Sequence, residues 1–237
     1  MPRTTSEVHI LPGDPPIEVL LRRSARARRF SLRVSRTDGG VSLSLPVWAD
    51  QSEAIAFLHT REAWLRGHVA RAPGRRRPVM GGTLPIGGTD RPILAGPGRA
   101  ARFDGAAIRV PDDDRMAARI RVLLRALARD RLSEAVMRHS DRLGRRAGRV
   151  TLRDPRSRWG SCSARGDLMF SWRLIMAPSE VLDYVAAHEV AHLVEMNHSD
   201  RFWALCAELC PEMATHRAWL RRDGPELLAW DFNTAPL

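Results

Sequence analysis

Residues 181–200 read VLDYVAAHEVAHLVEMNHSD and are preceded by APSE at residues 177–180. A proline in the first turn and an early glutamate are typical of a helix N-terminus, so the sequence predicts a helix over residues 178–196. His188 and His192 are four residues apart on this helix and project from the same face. Two imidazoles at that spacing can reach one metal ion at about 2.0–2.1 Å each, which makes this face a candidate metal centre.

Glu189 completes the pattern His-Glu-x-x-His. It is rotated by about 100° from His188 around the helix axis, so its carboxylate lies beside the ligand face rather than on it. That position suits a general base acting on a metal-activated water. The pattern alone arises by chance in roughly one sequence of this composition in a hundred. The neighbouring residues must therefore show whether it marks a metal site.

A third ligand is required, because catalytic zinc sites usually have three protein ligands and one open position. His198 is the candidate, but in a continuous helix it would lie about 600° from His192 and off the ligand face. We therefore expect the chain to reverse at Asn197, which suits a left-handed helix C-cap. His198 or Ser199 then starts the next helix, over residues 200–210.

Two other interpretations of these histidines remain open. They could be ordinary surface or core residues that bind no metal. They could also belong to a structural zinc site closed by a fourth ligand, which Cys206 or Cys210 on the next helix could supply. Cysteines at this spacing are more often small apolar core residues. Three of the eight histidines fall within residues 188–198 beside a well-placed glutamate, which favours a catalytic metal site.

The chain before residue 111 is rich in short strand patterns. Alternating apolar and polar residues predict strands at residues 17–20, 30–34 and 41–45, the last two joined as a hairpin at Asp38-Gly39-Gly40. Asp50 or Ser52 can cap a helix that runs to about Ala70. Further short strands are predicted at residues 84–86, 93–95 and 108–110.

After residue 111 the spacing of the apolar residues changes from the alternation of strands to the period of a helix. Apolar residues at helical spacing over residues 112–148 predict one long or two consecutive core helices. Strands are then predicted at residues 149–152, 159–163 and 168–175, with a hairpin turn at residues 164–167. The sequence therefore predicts an α+β fold with a β-rich portion containing one helix at residues 1–111 and a helical and α+β portion at residues 112–237.

Composition limits the cellular setting and the partners. No stretch approaches the roughly 18–20 apolar residues of a membrane span, and residues 1–16 lack the apolar core of an export signal, so no membrane partner is expected. Three cysteines suit a reducing compartment, which predicts a cytoplasmic protein. The net charge of +11 indicates nucleic-acid binding as one possible function, because clustered cations displace counterions from phosphate backbones. All 38 basic residues are arginines spread through the chain, however, so this expectation is weak.

Several short motifs carry a resemblance to a known family. They are Trp159-Gly160-Ser161-Cys162, the run Trp172-Arg173-Leu174-Ile175 before Ala177-Pro178, the segment from His188 to His192, Asn197-His198, and Phe202-Trp203. Together they resemble the YgjP-like metallopeptidases of the SprT-like and minimal gluzincin group of zincins. The resemblance spans about residues 22–222.

This resemblance implies a zincin-like catalytic portion and one zinc ion held by His188, His192 and His198, with Glu189 as acid and base. The expected activity is zinc-dependent hydrolysis of a peptide or protein substrate. Two alternatives are a DNA-associated protease, as in the SprT-like relatives, and a zinc hydrolase of non-peptide substrates. Neither the physiological substrate nor the oligomeric state follows from the sequence.

Three further predictions concern the surroundings of the centre. Residues 159–163 could form a rim strand that pairs with an extended substrate, or an internal strand with Trp159 in the core. Tyr184 lies one turn before His188 and could be an oxyanion donor or a packing residue. Phe202 and Trp203 should pack the second helix against the ligand helix, while Arg158 and Arg173 receive no role.

Overall fold

Strands and helices follow one another along the chain, which confirms the α+β class. The structure is a computed structural model and describes residues 6–35, 39–72 and 74–233. Its contacts divide the chain into two units, Met1–Arg75 and Arg76–Leu237. In the described ranges, none of the helices combines the length and the apolar character that crossing a membrane requires.

The boundary between the units differs from the division predicted near residue 111. Leu84, Ile93 and Ile108 are fully buried in the same apolar cluster as Leu124 of the following long helix. The strands that carry them therefore belong to the second unit, and the boundary falls after Arg75. Local strand patterns gave no sign of this, because the decisive contacts join segments distant in sequence.

The first unit is a sheet with two helices; the single helix predicted to run to about Ala70 is divided at Arg61. Its elements are β1 (Ser6–Leu11), β2 (Ile17–Ser24), β3 (Ser31–Val34), β4 (Val41–Pro46), α1 (Gln51–Thr60) and α2 (Glu62–Val69). The strand order is β1-β2-β4-β3, with β2 and β4 parallel and the other pairs antiparallel. The predicted hairpin of β3 and β4 is confirmed, although Asp38 of its turn lies outside the described residues. Asp50 caps α1 by accepting from the Ser52 amide, as predicted.

The second unit contains two more sheets and most of the helices. Its elements are β5 (Thr83–Ile86), β6 (Thr89–Ala95), β7 (Arg102–Phe103), β8 (Ile108–Val110), α3 (Met116–Leu143), β9 (Val150–Arg153), β10 (Gly160–Cys162), β11 (Leu168–Ser171), a 3-10 helix (Trp172–Met176), α4 (Ser179–Ala191), α5 (Asp200–Leu209), α6 (Met213–Arg222) and α7 (Gly224–Leu228). The sheet orders are β5-β6-β8-β7 and β10-β11-β9. In the second of these sheets β10 is an edge strand.

Helix α3 spans the region where the sequence allowed one long or two consecutive helices. It is a single helix of 28 residues, and it ends at Gly144, whose φ of 65° is left-handed. Ile120, Leu124 and Leu132 form its fully buried stripe. This stripe packs in the same cluster as Ala186, Ala187 and Val190 of α4, so a broad core supports the helix that carries the histidines.

The predicted strand over residues 168–175 ends early. Strand β11 stops at Ser171, whose hydroxyl accepts from the Arg173 amide and caps the buried 3-10 helix. The Arg173 guanidinium pairs with Asp154 through two hydrogen bonds of 2.6 and 3.1 Å. It also donates to the carbonyls of Leu227 and Trp230. Arg173 therefore has a structural role, because it ties the C-terminal segment to the 3-10 helix.

Candidate metal centre

The helix that carries the first two histidines ends sooner than predicted. Helix α4 stops at Ala191, and His192 is its C-cap with right-handed backbone angles. Hydrogen bonds of the i to i+3 type close this end, from the Leu193 amide to Val190 and from the Val194 amide to Ala191. No non-glycine residue in the described ranges has a positive φ, so the predicted left-handed cap at Asn197 is wrong.

The chain nevertheless turns back before the next helix. Ser199 caps α5 by accepting from the Phe202 amide, as predicted, and His198 stands immediately before this cap. Nε2 of His198 lies 3.1 Å from Nε2 of His188. Ligand nitrogens of all three histidines, His192 included, lie within 4.8 Å of one another. The structure thus brings together the three side chains that the sequence singled out.

This spacing fits a metal ion. Two nitrogens that bind one zinc ion at tetrahedral angles lie about 3.4 Å apart, close to the distance between His188 and His198. Nδ1 of His192 lies 3.0 Å from the Glu195 carbonyl oxygen. That contact places the proton of the neutral ring on Nδ1 and leaves Nε2 as the metal-binding atom.

The histidine cluster has no fourth metal-ligating side chain among the described residues. In the part of the chain that the structure describes, the cluster contains His188, His192 and His198 and no cysteine or carboxylate. Cys206 is completely buried and Cys210 nearly so, and both belong to the apolar core. A metal ion held by these three imidazoles would keep one position open, as in catalytic zinc sites, whereas a structural site would have a fourth protein ligand.

Two aromatic rings of α5 hold the imidazoles in place. Phe202 is fully buried and stacks on His192, with ring centroids 4.4 Å apart. Trp203 stacks on His198 at 5.4 Å. The two residues pack α5 against α4, as predicted, and they also limit the rotation of the imidazole rings, which keeps the nitrogens aimed at one point.

The surroundings keep the helix histidines neutral. Burial, followed by the charges of His192 and His198, lowers the pKa of His188 to about 3. Burial also lowers the pKa of His192. Metal ligation requires a deprotonated imidazole nitrogen, so both rings are in the binding form at neutral pH.

Glu189 is buried beside the cluster. Its side chain is only 5% exposed, and Oε2 has no hydrogen-bond partner among the described residues. Burial raises the pKa of Glu189 to about 8, against the opposing charge of Arg158. A carboxyl group that exchanges its proton near neutral pH matches the requirement for a general acid and base.

Strand β10 closes the other side of this carboxyl group. A Cβ atom built on Gly160 would lie 2.4 Å from Oε1 of Glu189, well inside van der Waals contact. Glycine is therefore the residue that lets the carboxyl group reach its position against the strand. The sequence singled out the motif containing Gly160 but gave no reason for the glycine, because its neighbour is distant in sequence.

The sequence left two interpretations open for Trp159 and two for Tyr184. Trp159 is partly buried and packs against the core, while the strand that follows it stays at the sheet edge. The Tyr184 ring is only 4% exposed, and burial raises the pKa of its hydroxyl to about 12. The Tyr184 ring centroid lies 6.0 Å from that of His188, so the two rings are neighbours on one face of α4.

Comparison with known proteins gives one family match. A family model described as "YgjP-like, metallopeptidase domain" matches residues 28–223, which is most of the chain. No curated protein matches the chain, and no solved structure does. The matched range includes all three histidines, the glutamate between them and strand β10.

Proposed function

The chain belongs to the YgjP-like metallopeptidase family, and from this premise we propose that it is a zinc-dependent peptidase with His188, His192 and His198 as metal ligands. The observation that carries the proposal is the convergence of these three imidazoles on one point. The open fourth position and the adjacent Glu189 support it, since hydrolysis needs room for water and a proton acceptor.

Zinc suits this donor set better than magnesium or calcium does. Three imidazole nitrogens favour a tetrahedral ion of intermediate softness, whereas magnesium and calcium prefer oxygen ligands. The three nitrogens define a single position, so one ion per chain is expected. A zinc ion there would supply Lewis-acid activation of a water molecule and of the substrate carbonyl.

Glu189 performs the proton transfers in this proposal. Its carboxylate takes a proton from the attacking water as the carbon–oxygen bond forms. The same carboxyl group then gives the proton to the amine nitrogen as the carbon–nitrogen bond breaks. Its packing against Gly160 limits the orientations of the carboxyl group, which proton transfer at a fixed distance requires.

Strand β10 is the proposed docking edge for the substrate backbone. It pairs with β11 on one side, through Gly160, Ser161 and Cys162, and forms the edge of its three-stranded sheet. An extended peptide can add to such an edge by main-chain hydrogen bonds. A peptide bound there would run past the Glu189 carboxyl group that packs on Gly160.

Gly160→Ala is expected to lower kcat/KM for peptide cleavage by about 100-fold, because misplacing a reacting group by about 1 Å costs that much. The added methyl group would occupy the space of Glu189 Oε1 and displace the carboxyl group. Zinc content should remain that of the wild type, since none of the ligands is touched. Steady-state peptide cleavage and metal analysis on the same preparation measure both effects.

Gly74→Ala is the matched control, because a Cβ atom there meets nothing within 4 Å. It should leave both the activity and the zinc content unchanged. Wild-type kcat/KM in Gly160→Ala would show that the contact between the strand and the carboxyl group is irrelevant to the reaction.

A DNA-associated protease is the second candidate, and the net charge of +11 is the observation that favours it. We place it behind a simple peptidase because the arginines are distributed along the whole chain.

All three cysteines are free, which supports the proposal that the protein works in a reducing compartment such as the cytoplasm.

A cleavage survey tests the proposed function. Zinc-reconstituted protein is incubated with a pool of denatured proteins, and new N-termini are identified by mass spectrometry. Cleavage that disappears after chelation and returns with zinc is the expected result. Strong stimulation by duplex DNA, lost at high salt, would favour the second candidate. Absence of any cleavage in both conditions would contradict the peptidase and point to a non-peptide substrate.

A further inference from the structure

A cavity of about 300 Å³ adjoins the metal centre. His188 and Glu189 both line it, so a group bound there lies next to the reacting atoms. The remaining lining is contributed by β10 and the residues before it, by α4 and by α6. We call this space the arginine cavity, because its walls include Arg158, Arg217 and Arg221.

The charges around the arginine cavity are unbalanced. Three guanidinium groups line it, and Glu189 is the only carboxyl group that the described residues contribute to its walls. Neither Arg158 nor Arg217 has an ion-pair partner among the residues that the structure describes. Other arginines of this unit, such as Arg109 with Asp104 and Arg173 with Asp154, are paired with carboxylates. Arg158 and Arg217 therefore give the cavity positive charge that no ion pair within the described residues neutralises.

Arg217 is held in place by the aromatic wall of the metal centre. Its guanidinium carbon lies 4.4 Å from the ring centroid of Trp203. Trp203 in turn stacks on His198. A guanidinium group fixed on an aromatic face keeps its N–H donors free and directed, which lowers the entropic cost of binding an anion.

We propose that the arginine cavity binds a carboxylate of the substrate, so that the enzyme prefers peptides with an acidic side chain or a free C-terminus next to the cleaved bond. Guanidinium groups bind carboxylates through paired, charge-assisted hydrogen bonds. Trp159, Val185 and Leu220 add apolar lining, which lowers the local dielectric and strengthens such bonds. This inference rests on the proposed peptidase function.

Matched peptides that differ by Glu or Gln at single positions on either side of the cleaved bond test the inference. At one position we expect kcat/KM for the Glu peptide to exceed that for the Gln peptide by roughly 10- to 100-fold, the range of one charge-assisted hydrogen bond. A second arm compares free and amidated C-termini. It distinguishes an acidic side chain from a chain end as the source of the carboxylate.

Arg217→Gln and Arg158→Gln are each expected to reduce this Glu-to-Gln ratio by about tenfold, because each removes one guanidinium group from the cavity. Two variants are used since Arg217 also packs on Trp203, and zinc content is measured for both. Arg125→Gln is the matched control; Arg125 is exposed on α3 and does not line the cavity. It should leave the ratio unchanged.

The outcomes separate this inference from the function on which it rests. One contradicting result is equal cleavage rates for Glu and Gln peptides at every position and for free and amidated C-termini. It would overturn the carboxylate site and leave the proposed peptidase function intact. A ratio that survives in both arginine variants would also overturn it. Failure to cleave any peptide would overturn the proposed function and the inference together.

Discussion

Glu189→Gln is expected to lower kcat/KM for peptide cleavage by about 10²- to 10⁴-fold, the range that a positioned general base contributes. Glutamine has nearly the same shape, so it fits beside Gly160 without disturbing α4. Its amide cannot accept the proton of the attacking water. Because Glu189 is not among the three residues that converge on the metal position, zinc binding should remain at one ion per chain.

The control for this experiment is Glu180→Gln, since Glu180 lies on the same helix, in its exposed first turn. It should retain wild-type turnover. Steady-state kinetics on one peptide and metal analysis are performed on all three proteins. Wild-type turnover by Glu189→Gln would remove Glu189 from its role, whatever its zinc content.

His198→Ala is expected to have the largest effect on metal binding. It removes one of three ligands, and the cost should exceed the roughly 10- to 100-fold loss of affinity that follows from removing an outer-shell partner. The loss should not unfold the protein, because the side chain is exposed and stands between helices α4 and α5 rather than in the core. Competition with a chromophoric chelator measures the affinity.

His216→Ala is the matched control for the loss of an imidazole. His216 lies on α6, and its ring centroid is 6.3 Å from that of Tyr184, but it is outside the histidine cluster. Its zinc affinity should equal that of the wild type. Equal affinity in His198→Ala would mean that the third imidazole does not bind the ion and that the assignment of the ligand set is mistaken.

The sequence predicted the histidine cluster because local rules determine most of it. The four-residue spacing of His188 and His192 gives two imidazoles on one helix face in any α-helix. The Ser199 cap starts the next helix and places His198 at the turn. The cause of the turn was predicted wrongly, since the helix ends at Ala191 by tightened hydrogen bonds rather than through a left-handed Asn197.

Features set by contacts distant in sequence were missed. The prediction did not include β1, although its pairing with β2 is extensive, because three of its six residues are polar. The boundary after Arg75 depends on core contacts between β5–β8 and α3. The roles of Gly160 and Arg173 likewise depend on partners brought together only by the fold.

The same distinction applies to the arginine cavity. Arg158, Arg217 and Arg221 come from two separate segments, and in a chain with 38 arginines nothing marks them in the sequence. Their significance arises from their position beside His188 and Glu189. The fold, and not the sequence, therefore distinguishes these three arginines from the others.

X-ray absorption at the zinc edge of the reconstituted protein tests the central claim most directly, because it counts the ligands of the bound ion. We predict three imidazole nitrogens at about 2.0–2.1 Å and one oxygen at a similar distance. A sulfur ligand at about 2.3 Å, or fewer than three imidazoles, would contradict the centre formed by His188, His192 and His198.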